Sequence, residues 1–138
     1  TDDIRRLLSA FAPARQVPAI RTPEGEVIGE SVAIAETLAE RHPEAGLWPA
    51  DPAARAMARY MVAEMHAGFR DLRNDCPMNL AKSYVDAAPR AEVLADLARI
   101  ELTWTRARTR FGTGGPWLFG RYSAADAFFA PVAARVAG

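Results

Sequence analysis

Apolar residues at Ile4, Leu7, Leu8 and Phe11 recur at three- and four-residue spacings, so the chain is predicted to open with a helix over 2–11 that has one apolar face. A breaker stretch, APARQ, follows. The period then shortens to two: VPAIR and EVIG read as strands, and the TPEG between them supplies Pro23 and Gly25 for a turn, so an antiparallel pair is expected. Pro18 has no backbone donor and belongs at a strand start or edge. Helical spacing returns from Ser31 to Arg41, with Val32, Ala35, Leu38 and Ala39 on one side, and His42-Pro43 stops it.

The stretch HPEAGLWPADP has no periodicity and three prolines, which marks a boundary between a domain over 1–43 and a second over 44–138. Beyond it the pattern is helical throughout. Asp51-Pro52 reads as a cap with proline at the first helical position, and Met57, Tyr60, Met61, Met65, Gly68 and Leu72 continue one stripe to an expected stop near Cys76-Pro77. Pro89 is expected to begin another helix. Val93, Leu97, Ile100, Trp104 and Phe111 form its buried stripe, while Arg90, Asp96, Arg99 and Arg106 face water. Gly112, Gly114, Gly115 and Pro116 break it. The last segment, SAADAFFAPVAARVAG, is apolar nearly all round and is therefore central to the core, with Pro131 inside it removing one helical bond.

Composition removes several function classes. In 138 residues, 17 Lys and Arg balance 17 Asp and Glu, so no charge field points to nucleic acid or a membrane surface. No apolar run spans a bilayer and no leader pattern is present. The single cysteine, Cys76, has no internal partner, which fits a reducing cytoplasm. A first residue of Thr1 suggests a processed or partial chain.

Candidate chemistry sits at a few places. Ser31 reads as a helix N-cap, but the position three residues on is Ile34, so the reciprocal box is unfilled and the helix start keeps donors that suit a carboxylate or phosphate as well as water. Ser123 and Asp126, by contrast, fill such a box. His66 stands beside Met65, one helical turn from Arg70, and its small neighbours Ala67 and Gly68 leave room for a ligand or for solvent. No second histidine or cysteine lies at metal-ligand spacing, so no metal site is expected. Met57, Met61 and Met65 suit either an adaptable pocket or the core. The run Arg106 to Arg110 reads as a solvated face, and GTGG is too short for a phosphate loop. Val17-Pro18 at a strand start, followed by a hairpin and an acid-serine helix start, has the layout of a thioredoxin-like half-domain. A cis proline there turns the preceding backbone groups outward to pair with a peptide-like ligand, whose carboxylate the Glu30-Ser31 end would take.

In RQVPAI, GEVIGESVAIAETLAERHP, LWPADPAARAMARYMVAEMHAGF and PWLFGRYSAADAFFAPVAAR, taken in order, the chain resembles a glutathione S-transferase of the bacterial, beta-like type. The resemblance implies an α+β remnant of a thioredoxin-like domain, lacking its first β-α-β part, followed by an all-α C-terminal domain that is incomplete at its end. It also implies a cytoplasmic homodimer that uses glutathione as co-substrate. Val17 would pair its backbone with the cysteinyl part of glutathione, Pro18 being the cis proline, and Glu30 and Ser31 would hold the γ-glutamyl end. Gln16 would face the glycyl carboxylate where many relatives have lysine. His66 matches a histidine that approaches the glutathione sulfur, and Met65 would line the substrate pocket. The residue that activates the thiol is expected to lie outside this chain. The implied activity is conjugation of glutathione to electrophilic, mostly apolar small molecules. The alternatives are a non-catalytic binding or dimerisation module, and a glutathione-dependent reductase or isomerase.

Overall fold

The computed structural model describes residues 2–79, 81 and 88–137, most of them helical, and the chain divides into two units, Thr1–Leu47 and Trp48–Gly138. In the first unit, α1 (Asp2–Ser9) is followed by β1 (Ile20–Arg21), β2 (Val27–Ile28) and α2 (Ser31–Arg41). Helix α1 ends before Phe11, because Pro13 biases the preceding residue away from helical geometry and the chain passes into turns, Phe11 N–H to Leu8 O at 2.8 Å and Ala14 N–H to Phe11 O at 2.8 Å. Its apolar face is not covered within this unit: Ile4 is 43% and Leu7 67% exposed, since a two-stranded ribbon offers too little surface to bury a helix face.

The ribbon itself follows the predicted pattern. Ile20 lies opposite Ile28 and Arg21 opposite Val27, and the turn closes with Gly25 N–H donating to Thr22 O at 2.9 Å. Gly25 has φ +96, a conformation that favours glycine. Two arginines then fasten the unit. The Arg21 guanidinium donates to Ala10 O and lies 5.6 Å from the Phe11 ring centroid. Arg41, in the last turn of α2, pairs with Glu24 of the hairpin turn, and that hydrogen bond holds the Glu24 carboxyl down at about 2. Helix α2 buries Ile34 and Ala35.

The second unit holds α3 (Pro52–Ala67), α4 (Arg70–Asp75), α5 (Ala91–Phe111) and α6 (Ala124–Ala137). Helix α3 packs on α5 and α6, and α4 on α5, around a core that includes Met61, Val62, Leu72, Val93, Ile100 and Phe129. Asp51 caps α3 as expected, accepting from Ala54 N–H at 2.7 Å. The single long helix predicted up to Cys76 is instead two. The break lies at Gly68, a poor helix former, and Phe69, which takes the left-handed conformation at φ 56 and whose side chain is buried. The expected stripe survives the break only in part: Met61, Met65 and Leu72 are buried, whereas Tyr60 is 48% exposed.

Helix α5 begins at Ala91 rather than at Pro89, and its buried face is rotated from the predicted one. Thr103 and Ala107 join Val93 and Ile100 in the core, while Leu97, Trp104 and Phe111 are half-buried. Thr103 is tolerated there because its hydroxyl donates to Ile100 O at 2.9 Å. Two residues expected to face water have partners: Asp96 accepts from Leu72 N–H at 3.1 Å, capping α4 from outside, and Arg99 grips Glu64. Arg108, expected on a solvated face, donates to the carbonyls of Gly115 and Trp117 and shapes the loop before α6. Pro131 sits inside α6, as predicted.

Candidate functional site

The start of α2 departs from the expected cap. The capping residue is Glu30, not Ser31: one carboxylate oxygen accepts from Val32 N–H at 3.2 Å and the other from the Ser31 hydroxyl at 3.2 Å. Glu30 has extended backbone geometry, and its longer side chain curls back over the helix end, so Ser31 becomes the first helical residue. The N–H of Val32, in the first turn of α2, is taken by the Glu30 carboxylate. The result is a carboxylate, a hydroxyl and backbone donors at one helix end, where the dipole is positive.

The peptide between Val17 and Pro18 is cis, as expected from the thioredoxin-like layout, although β1 begins only at Ile20. Val17 is 64% exposed, and among the described residues its backbone N–H and C=O make no backbone hydrogen bond. Ile20 and Ile28 are the last paired residues of the ribbon; Gln16, Val17 and Pro18 lead into β1 and Glu30 and Ser31 follow β2, so both segments leave the hairpin at its open end. Gly29, between β2 and Glu30, approaches the loop so closely that an added Cβ would lie 2.6 Å from the Ala14 side chain. Sequence reasoning missed the Gly29 approach, although a glycine between a strand and a helix start is its usual mark.

In the second unit His66 occupies the exposed side of the last turn of α3. The break after Ala67 removes the helical relation to Arg70 expected from the sequence, since Arg70 opens α4. Met65 is 6% exposed and lies in the core, where its thioether and carbonyl both meet the Arg73 guanidinium, at 3.3 and 2.7 Å. Arg73 also donates to Gly68 O at 3.1 Å. Cys76 is half-buried at the end of α4, and its carbonyl accepts from Arg135. Among the described residues no cluster of three or more metal-ligating side chains forms, and no helix is long and apolar enough to cross a membrane.

Residues 1–41 match the glutathione S-transferase N-terminal domain. Over 75 residues, 54% of this chain, it is 36% identical to a maleylacetoacetate isomerase of Pseudomonas aeruginosa, and that match covers 35% of the relative's length. It is 38% identical over 74 residues to a probable maleylacetoacetate isomerase of Caenorhabditis elegans, covering 54% of this chain and 34% of the relative. It is 40% identical over 62 residues to the maleylacetoacetate isomerase of Rattus norvegicus, covering 45% of this chain and 28% of the relative. The matched part thus spans about a third of the length of the relatives. The domain match lies over the hairpin and helix start described above, so residues 1–41 are similar to the glutathione S-transferase N-terminal domain.

Proposed function

We propose that this chain is part of a cytoplasmic, dimeric enzyme that uses glutathione as a thiol nucleophile toward small, electrophilic, mostly apolar molecules. The observation that carries this reading is the open end of the hairpin, where the exposed Val17 with its cis bond to Pro18 leads into β1 and the carboxylate of Glu30 and hydroxyl of Ser31 follow β2. The γ-glutamyl ammonium of glutathione pairs with the Glu30 carboxylate, and its α-carboxylate takes the Ser31 hydroxyl and N–H. The cysteinyl amide pairs with Val17 as an added strand, and the Gln16 amide meets the glycyl end. Chemistry then needs the thiolate, since the thiol is a poor nucleophile. In conjugation, the thiolate sulfur forms a bond to an electrophilic carbon and the leaving group departs with its electron pair.

A second reading is favoured by the relatives' names. In a glutathione-dependent isomerase the same thiolate adds to an electron-poor double bond, the resulting single bond rotates, and expulsion of the thiolate restores the double bond in the other geometry. Both readings need the same glutathione seat. Replacing Glu30 and Ser31 together by alanine is expected to weaken glutathione binding by roughly 2 to 4 kcal/mol, about thirtyfold to several-hundredfold. Calorimetry on the full-length protein tests this, and unchanged affinity would remove the assignment. Product analysis with a cis-enedione separates the two chemistries: an isomerase returns glutathione unchanged, a transferase consumes it.

A further inference from the structure

We propose that the end of α5 and the loop before α6 form a preformed docking surface for an acidic segment of a partner protein. The surface lies within the second unit and does not depend on the glutathione reading. Between Glu101 and Asp126 the sequence has Arg106, Arg108, Arg110 and Arg121 and no acidic residue, in a chain whose total charge is zero. Among the described residues none of the four takes part in an ion pair, so the excess is not neutralised locally. The helix dipole favours cations in the last turn of α5, which holds Arg108 and Arg110, but it gives no reason for Arg121, which stands beyond the helix.

Trp117 and Tyr122 stand beside these arginines, 43% and 57% exposed, with ring centroids 4.9 Å apart and ring planes at 78°. Contacts join the two sets. Arg108 donates to the carbonyls of Gly115 and Trp117. Arg110 lies 5.0 Å from the Phe111 ring centroid, and that ring lies 6.0 Å from the ring of Phe119, the bridge partner of Arg121. The loop is fixed without the exposed pair: Leu118 N–H donates to Asp126 at 2.9 Å, and Leu118 and Phe119 are buried. Single exposed apolar residues are ordinary, whereas a rigidly held Trp and Tyr among unpaired arginines form a patch that marks an interaction site. Trp, Tyr and Arg are the residue types that dominate binding energy at protein interfaces. A surface already ordered loses less entropy on binding, and its charge selects an acidic partner. Nucleic acid fits less well, because the edge-to-face rings cover each other in part and do not offer two open faces to successive bases.

The test uses the full-length protein and a phage-displayed library of random peptides, counter-selected on a variant carrying both Trp117→Ala and Arg121→Glu. Peptides that need the surface are expected to carry an excess of Asp and Glu around an apolar residue. The tightest of them, labelled with fluorescein, is expected to bind Trp117→Ala and Arg121→Glu roughly tenfold more weakly than wild type. Replacing Arg70, an exposed arginine of α4 outside the surface, by glutamate should leave its affinity unchanged. Binding should also weaken as salt is raised. Circular dichroism checks that each variant is folded, and Tyr122→Ala supplies the aromatic arm if Trp117→Ala disturbs the loop. A selection that enriches no peptide, or peptides without an acidic excess, would overturn the proposal. So would affinity unchanged in both aromatic variants, which reduces the surface to Coulomb attraction, or an oligothymidylate that competes as well as the peptide. Sedimentation equilibrium covers the remaining occupant: a wild-type oligomer that the double variant dissociates assigns the surface to a second copy of the chain and removes the acidic partner.

Discussion

Three donors converge on the Asp126 carboxylate: Ser123 N–H at 2.9 Å, the Ser123 hydroxyl at 3.0 Å and Leu118 N–H at 2.9 Å. The first is the reciprocal bond that the Ser-to-acid spacing predicts. The third was not legible, because Leu118 lies in the loop before α6 and only the folded loop brings it there. Asp126→Ala leaves a buried serine and two backbone donors without their acceptor, and is expected to cost about 2 to 3 kcal/mol in denaturant unfolding. Asp126→Asn, which keeps one acceptor oxygen, should cost less. The same contrast explains the outcome at Glu30. Residue spacing correctly placed a polar pair at the helix start, but which of two neighbouring oxygens reaches the N–H is decided by side-chain length and backbone geometry, and the longer glutamate takes it.

At the scale of elements, the errors share a cause. Apolar spacing continues smoothly from α3 into α4, so periodicity alone cannot show that Gly68 and Phe69 interrupt the helix. The signal was the glycine, and it was read as a stripe position. Loop glycines are better placed to be read, and they separate by what surrounds them. A Cβ at Gly115 would lie 2.0 Å from Gly120 O, a backbone atom that cannot step aside, while at Gly46 nothing lies within 4 Å and only the positive φ of 59 resists substitution. Gly115→Ala is accordingly expected to destabilise by at least about 2 kcal/mol, and Gly46→Ala by about 1 kcal/mol. Thermal melts of the two variants check the ranking.

The α3 to α5 contact carries a pH dependence. Arg99 donates to both Glu64 oxygens, at 2.7 and 3.2 Å, and this bond lowers the Glu64 carboxyl below the ordinary glutamate value. A carboxyl lowered in the folded state adds stability above its unfolded value, near pH 4 to 5, and loses it as pH falls through the lower folded value. Arg99→Met should therefore destabilise at neutral pH and matter progressively less on acidification below about pH 4. Equal destabilisation at neutral pH and at pH 2 would assign the effect to lost packing of the arginine stem instead.

Taken whole, the molecule joins two units of unequal self-sufficiency. Unit Trp48–Gly138 has its own interior, in which Met61, Val62, Leu72 and Val93 are at most 1% exposed, and among the described residues four helices contribute to it. Unit Thr1–Leu47 buries few large side chains and leaves Leu7 and Val17 more than half exposed, with a ribbon of two strands that is marginal by itself in water. The hydrophobic pattern foretold this difference in kind, helical stripes in one part and short alternating runs in the other. It could not foretell how much each part buries, since burial depends on which elements meet. A peptide of residues 48–138 is expected to keep a helical circular dichroism spectrum and to melt cooperatively. A peptide of residues 1–47 should show a largely coil spectrum with no cooperative transition, because so short a chain with so few buried groups does not offset its conformational entropy. A cooperative melt of 1–47 alone would mean that α1 and the ribbon bury more than their exposures indicate. It would also make that peptide the smallest piece in which to test the proposed glutathione binding at Val17, Glu30 and Ser31.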